Sequence, residues 1–556
     1  MLRLAIPQKN FGDAQMSTAI CTTAPAVEIK QVPRDQHTSG IHIALIFFVG
    51  LIARIPFYLA YRPIWSGDSS SYVMFYQFLT QHLFYLGWRT PVYPFFLGFA
   101  MRVGTITSPA DPSTPFAYIV ICLQSLFCIL AAAFLYHTLR LLNVSKGIAL
   151  AVSLIIVTMP ALSIHEMSLL NMSLAFSLLM LVMGLFVITI KRLEVSRPAT
   201  IPALATGIAS SILIMNRPDL IIFVLLLLMM TAAVSLRLWF GLRIQLSSSI
   251  LKATSLIALP AACTLLGWML LMYIGIGQFR ITTLDGWNRT RTVYNMFDRV
   301  DPADQLIGGI MSRTYNREVS SHAKVNLREI IWPALDELII NYPDYPGPKT
   351  AIDPTFLDHV GIASGRRALG WVRIPCTQEN YCWQNMRKEI DVGDYLGQVS
   401  WKLARKYPKD YLRNLAVNFF EESFDFRFTN AKPAVAEYQD LSVVGGESVK
   451  SKAGVHMIAQ AITAEAPLLT IAYVVTLGFF MVAPILLFRK PSEHWVSDIA
   501  IASMAVASVG TIVGTTVLAG FNRVYSLPHI AVFAICTAYA WENRARFLDA
   551  IPLRRQ

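Results

Sequence analysis

Long, almost uninterrupted apolar blocks, such as residues 41–61, 116–142 and 467–488, recur along this chain with short charged gaps between them. An α-helix needs about 20 apolar residues to cross the hydrocarbon core of a bilayer, because only there can every backbone polar group be satisfied within the segment itself. Blocks of this kind exclude a stack of soluble domains, which 556 residues would otherwise suggest. Composition agrees: 54% hydrophobic and 15% charged residues lie far outside the range of soluble domains.

The formal charge of +12 raises nucleic acid as a partner, and its location rejects that reading. Residues 278–466 hold 23 Lys/Arg and 23 Asp/Glu, so the excess belongs to the apolar part, with 24 basic and 12 acidic side chains. Apolar length and flanking charge give ten candidate spans, at 41–61, 116–142, 147–160, 172–190, 200–215, 218–236, 251–277, 467–488, 497–519 and 525–541. With the N-terminus inside, the inner loops collect Arg140, Lys146, Lys191, Arg192, Arg197 and many others, while the short outer turns hold only Arg217 and Arg523. That asymmetry places both termini in the cytoplasm. Parity then forbids a full crossing at 92–103, which reads as a re-entrant or interfacial helix.

The expected fold is therefore an all-α polytopic membrane protein of about ten transmembrane helices, with a mixed, mostly helical extracytoplasmic domain inserted before the last three. The organisation follows. Residues 1–40 form a cytoplasmic tail without a signal-type core, and 41–277 form an N-terminal transmembrane module with a first outer loop at 62–115. Residues 278–466 are the extracytoplasmic domain, 467–541 the C-terminal transmembrane helices, and 542–556 a basic cytoplasmic tail. Within the outer domain, 398–426 reads as an amphipathic helical pair broken near Pro408, lying on the domain or on the membrane surface.

Four of the seven cysteines, Cys122, Cys128, Cys263 and Cys536, fall in spans and read as small hydrophobes. Cys376 and Cys382 share the outer domain, where close spacing and an oxidising side favour a disulfide over two buried thiols. No CxxC, HExxH or zinc-type His/Cys cluster occurs, so no structural metal site is expected.

Ionisable groups kept beside a membrane are the natural place to seek function. Outside the large domain the outer side holds only Asp68, Asp111, Glu166 and Asp219. Asp68 lies in Trp65-Ser-Gly-Asp-Ser-Ser-Ser-Tyr72, where an acid before serines is also a good helix cap. Asp111 reads as a turn residue, and Asp219 as a partner of Arg217 or a cap of the next span. Glu166, at the outer end of the third span, is either catalytic or simply solvated. Arg54, inside the first span, fits an anchor that snorkels outward.

Taken in order, these segments resemble the GT-C glycosyltransferases, in particular the family-39-like bacterial enzymes that use polyprenyl-phosphate sugars. The resemblance runs through Arg54, Gly67-Asp68-Ser69 with Tyr72, and Arg89-Thr-Pro-Val-Tyr-Pro94, which is similar to the family's Arg/His-x-Pro-x-Tyr-Pro element. It continues in Ser168-Leu-Leu-Asn-Met-Ser-Leu174, in Gly207-Ile-Ala-Ser-Ser-Ile-Leu-Ile-Met-Asn-Arg-Pro218 and in Asn522-Arg-Val-Tyr-Ser-Leu-Pro528. The outer domain adds a weak echo in Lys406-Tyr-Pro-Lys-Asp-Tyr-Leu412. One departure stands out: Asn171 occupies a position where the family usually has an acidic residue.

The resemblance implies transfer of a sugar from a polyprenyl-phosphate donor, on the extracytoplasmic side of a plasma or inner membrane, with inversion. Asp68 would be the general base, and either Glu166 takes the acidic role that Asn171 leaves unfilled or the chain works with one essential carboxylate. Arg89, Arg217 and Arg523 would hold the donor phosphate, since guanidinium forks match phosphate oxygens. Tyr72, Tyr93, Asn171 and Tyr525 would line the sugar and lipid pocket, although an interfacial aromatic belt fits any one of the tyrosines better. Membrane lipid is the surrounding partner, and the acceptor is a glycolipid, a polymer or a protein. No cofactor is implied beyond the donor itself, and dependence on a divalent metal is left open. Two other classes use similar groups: a transporter or flippase of a lipid-linked or anionic substrate, and a membrane polysaccharide polymerase or ligase. The absence of a visible repeat, and ionisable groups gathered at one face, weigh against the transporter.

Overall fold

The structure, a computed structural model, describes residues 36–64, 69, 72–73, 75–76, 89–107, 113–240, 244–282, 285–321, 381–423, 450–488, 495–519 and 527–549, with isolated positions between 330 and 346. The chain divides into two compact units, Met1–Ile41 and His42–Gln556. The described part of the first, residues 36–41, is helical; the membrane bundle and the candidate site belong to the second.

Helix dominates the described residues, and the one extended pairing among them is an isolated bridge between Ile64 and Ser168. The membrane helices, in chain order, are α1 Gln36–Ala60, α2 Val92–Thr107, α3 Ser113–Leu141, the pair α4 Lys146–Thr158 and α5 Pro160–Glu166, then α6 Met172–Glu194, α7 Thr200–Asn216, α8 Ile221–Phe240 and α9 Ile244–Ile276. Seven described segments are long and apolar enough to cross a membrane alone: Ser39–Ala60, Pro115–Leu141, Met172–Glu194, Pro218–Leu238, Ser247–Ile274, Ala453–Leu487 and Trp495–Val517. The α4–α5 pair, bent by 45° at its break, is apolar and long enough only when its two helices are taken together, as a broken span or a re-entrant loop. The chain is thus an all-α polytopic membrane protein. Two of the remaining apolar helices, α2 and α7, are shorter than a full span. For α2 this agrees with the interfacial or re-entrant reading of 92–103, whereas α7, expected as a crossing, is only 17 residues long because Pro198 and Pro218 flank it.

Small residues set the helix packing, as they must where apolar side chains gain nothing from leaving lipid. A Cβ at Gly207 on α7 would stand 2.7 Å from the Ile257 carbonyl oxygen of α9, so these two backbones meet directly. Gly184 on α6 receives the Phe134 ring of α3 in the same way.

Beyond α9 come α10 Asp285–Thr290, α11 Gln305–Ser321, α12 Tyr381–Lys406 and α13 Pro408–Ser423. They share a core of their own, built on Trp287, Phe297, Met311, Leu396, Val399 and Leu403. The α12–α13 break falls at Pro408, where the sequence places it, since proline removes the donor a continuous helix needs there. Gly286 abuts the Gly393 carbonyl so closely that no side chain fits between α10 and α12. Burial alone would raise the Asp304 carboxyl, but the Lys402 ammonium at 2.8 Å and the Tyr395 hydroxyl at 2.6 Å hold it below the usual carboxylate range.

The last helices are α14 Lys452–Phe488, α15 Trp495–Ala519, α16 Ile530–Glu542 and α17 Arg544–Asp549. Residues 452–466, grouped by sequence with the outer domain, continue the helix of the following span. The helix runs through Pro467 without a break, so the turn nucleated by the apolar block extends back to Lys452. The N-terminal tail to residue 35, the basic end from 550, Cys376 and the side chain of Cys382 lie outside the described residues. Cys122, Cys128, Cys263 and Cys536 are free thiols.

Candidate active site

A short strap, residues 166–171, joins α5 to α6, and the first loop folds onto it. The Ile64 N–H donates to the Met167 carbonyl at 2.7 Å, and the Leu169 N–H donates to the Ile64 carbonyl at 2.9 Å. The Ser69 hydroxyl donates to the Leu169 carbonyl at 2.9 Å. Irregular backbone at this depth needs such partners, since lipid offers none.

Aromatic residues stack on the other side of the strap. Tyr72 and Tyr93, both buried, meet edge to face with ring centroids 4.8 Å apart, and the Arg89 guanidinium sits 4.6 Å above the Tyr72 ring. The Tyr93 hydroxyl donates to Gln124 Oε1 at 2.9 Å; Gln124 Nε2 in turn donates to the Glu166 and Ser168 carbonyls at 2.8 and 2.9 Å. Gln124 is a site residue that sequence reasoning passed over. Its signal was an amide side chain, next to Ser125, in the middle of the apolar block 116–142.

The strap ends on a second amide pair. Asn171 Nδ2 donates to the Asn216 carbonyl at 2.8 Å, and Asn216 Nδ2 returns the bond to the Asn171 carbonyl at 3.3 Å. The next residue, Arg217, makes a two-pronged ion pair with Asp219 at 3.0 and 2.6 Å, the partnership its spacing suggested. A continuous chain of contacts therefore runs from Arg89 through Tyr72, Tyr93, Gln124 and the strap to Asn171, Asn216 and Arg217. Asp68, Arg523 and Tyr525 lie outside the described residues.

Two expectations are corrected. Arg54 does not snorkel outward, and Glu166 is neither solvated nor open to a substrate: their side chains are 4% and 0% exposed. Arg54 Nε and Nη2 grip the two Glu166 oxygens at 2.9 and 2.5 Å, and Arg54 Nη1 donates to the Gly50 and Val157 carbonyls. An unpaired charge at this depth costs so much that each group is committed to the other. Glu166 is thereby the counter-ion of Arg54. Among the described residues no group of three or more His, Cys, Asp or Glu side chains is arranged to hold a metal ion.

No family model matches the chain, and no curated protein matches it. Among solved structures, the chain is similar to the archaeal oligosaccharyltransferase AglB from Archaeoglobus fulgidus in complex with an inhibitory peptide and a dolichol-phosphate. That match has 12% identity and a TM-score of 0.42, and it covers 94% of this chain and 53% of that one. A second match is ArnT from Cupriavidus metallidurans bound to undecaprenyl phosphate, with 14% identity, a TM-score of 0.28, and 90% and 78% of the two chains covered. The chain spans about half the length of the oligosaccharyltransferase it matches.

Proposed function

We propose that the chain is a GT-C-type membrane glycosyltransferase that moves a sugar from a polyprenyl-phosphate donor to an acceptor hydroxyl on the extracytoplasmic side, with inversion. One observation carries this reading. The segments whose sequence resembles that family, around Ser69–Tyr72, Arg89–Tyr93, Ser168–Asn171 and Asn216–Arg217, are far apart in the chain yet bonded into one network.

In this reading the Asp68 carboxylate takes the proton of the acceptor hydroxyl as its oxygen attacks the anomeric carbon. The bond from that carbon to the phosphate oxygen breaks on the opposite face, and its electron pair leaves on the polyprenyl phosphate. Arg89, Arg217 and Arg523 hold the phosphate and balance its charge. Tyr72, Tyr93, Asn171 and Tyr525 shape the pocket for sugar and lipid, and the acceptor is a glycolipid, a polymer or a protein.

The test is sugar transfer by protein reconstituted in liposomes with a labelled polyprenyl-phosphate sugar. Asp68→Asn keeps the shape and the capping ability of the side chain but cannot accept a proton. It is expected to lower the transfer rate by about 10²–10⁴-fold while donor binding and folding persist. Transfer at the wild-type rate would remove Asp68 from the chemistry, and wild-type protein unable to bind any polyprenyl phosphate would remove the donor class.

A further inference from the structure

The bend between α4 and α5 frees a backbone amide and a backbone carbonyl that a continuous helix would pair, and both have found other partners. In a continuous helix the Ala161 N–H would donate to the Val157 carbonyl, four residues back. Pro160 has no N–H, Met159 is extended at φ −63° and ψ 115°, and the two segments diverge by 45°. The freed Val157 carbonyl accepts from Arg54 of α1. The freed Ala161 N–H donates at 2.7 Å to the carboxylate of Glu465, a 9% exposed side chain in the interior of α14.

Glu465 is otherwise hard to explain. A buried acidic residue at the edge of an apolar span is costly and needs a task, and nothing in the network from Arg89 to Arg217 uses it. Its helix is docked beside the bend by other bonds. The Lys450 and Ser451 N–H groups, just before α14, donate to the Ala60 carbonyl at 2.8 and 3.3 Å, and Lys450 Nζ donates to the Tyr58 carbonyl at 3.0 Å. Val455, Ile458 and Ile462 of α14 share a buried cluster with Ile164, Met167 and Ile64. The carboxylate thus arrives from a helix already fixed against both α1 and the strap.

We propose that Glu465 is a positioning residue: by holding the amide that the bend frees at Ala161, it keeps α5 at its angle to α4 and presents the strap 166–171 to the first loop. The strap cannot shift alone, because Ile64, Ser69, Gln124 and Asn216 all bond to it. If α5 swings toward a straight helix, those bonds are lost together. An oxygen acceptor, rather than a negative charge, is what the amide requires.

This inference rests on the proposed function only for its affinity readout, so the experiment has two arms. In the first, hydrogen–deuterium exchange of the full chain in nanodiscs follows the peptide amides of 159–171. Glu465→Ala is expected to speed exchange at Ala161 and along the strap by tenfold or more, and Glu465→Gln, which retains the acceptor oxygen, to stay within about twofold of wild type. In the second, undecaprenyl phosphate is titrated against the same folded proteins; Glu465→Ala is expected to weaken its binding by about tenfold, with Glu465→Gln again near wild type. Unchanged exchange in Glu465→Ala overturns the proposal, as does a Gln variant as perturbed as Ala, which would make charge the requirement. Wild-type protein that ignores undecaprenyl phosphate overturns the donor assignment and leaves the exchange arm to decide the role of Glu465. Should Glu465→Ala fail to fold, Glu465→Met fills the volume without an acceptor and carries the same expectations.

Discussion

Buried charges occur at both ends of the membrane bundle, and they do different work. From Met172 to Lys191, α6 rises about 29 Å, so its first turn lies at the candidate site and its last turn at the opposite end. At that opposite end Asp498, at the start of α15, accepts from the Tyr539 hydroxyl at 2.8 Å and from Arg546 at 2.6 Å, and Lys191 donates to Glu194 and Ser497, both at 2.8 Å. These contacts fasten the ends of regular helices near water. At the site end Arg54 and Glu166 are more fully buried, and Arg54 satisfies a carbonyl freed at the bend as well as its counter-ion. Charge at one end finishes regular structure; at the other it permits irregular structure, the kind that membrane proteins keep only where it lines a cavity or is buried in protein.

That contrast is sharpest in unfolding experiments. Glu166→Ala leaves the Arg54 guanidinium buried without its counter-ion, and loss of one partner of a buried pair costs about 3–5 kcal/mol. Asp498→Asn removes a charge from a pair whose Arg546 is 28% exposed, where solvent screens the loss, so about 1 kcal/mol is expected. Thermal melts of the purified protein should therefore separate the two variants clearly. The double change Arg54→Met with Glu166→Met, which removes both charges and keeps volume, should recover much of the single-variant loss. Equal melting shifts for Glu166→Ala and Asp498→Asn would dissolve the distinction between the two ends.

Much of this was legible before any coordinates, for a physical reason. Apolar length reports directly on membrane crossing, so 172–190, 218–236 and 251–277 fall within one to a few residues of observed spans. The pairing of Arg217 with Asp219 was legible because only Pro218 separates them. The pairing of Arg54 with Glu166 was not, since 112 positions intervene and no spacing rule links an arginine in one span to a glutamate in another. The same holds for Glu465 and Ala161: a carboxylate bonded to a backbone amide leaves no trace in side-chain pattern. Pro160 announced that the helix would break, but not which groups would take the freed amide and carbonyl.

The smallest effect expected on donor affinity concerns Arg217, where the site end meets the proposed substrate. Arg217 is 3% exposed and already holds Asp219, so a merely structural pair is the competing explanation. Arg217→Ala is expected to weaken undecaprenyl phosphate binding by about tenfold, or ~1.4 kcal/mol, and Arg217→Lys to restore part of it, because the charge survives but the two-pronged geometry is lost. Asp219→Asn separates the explanations. If Arg217 serves the donor, neutralising the carboxylate that competes for it leaves phosphate affinity equal to or higher than wild type, at some cost in stability. If the arginine exists only to pair with Asp219, then Arg217→Ala and Asp219→Asn lower the melting temperature alike while affinity per folded molecule stays constant for both. Calorimetric titration beside thermal melts of the three variants distinguishes these outcomes, since the first explanation lowers affinity for Arg217→Ala but not for Asp219→Asn and the second lowers it for neither.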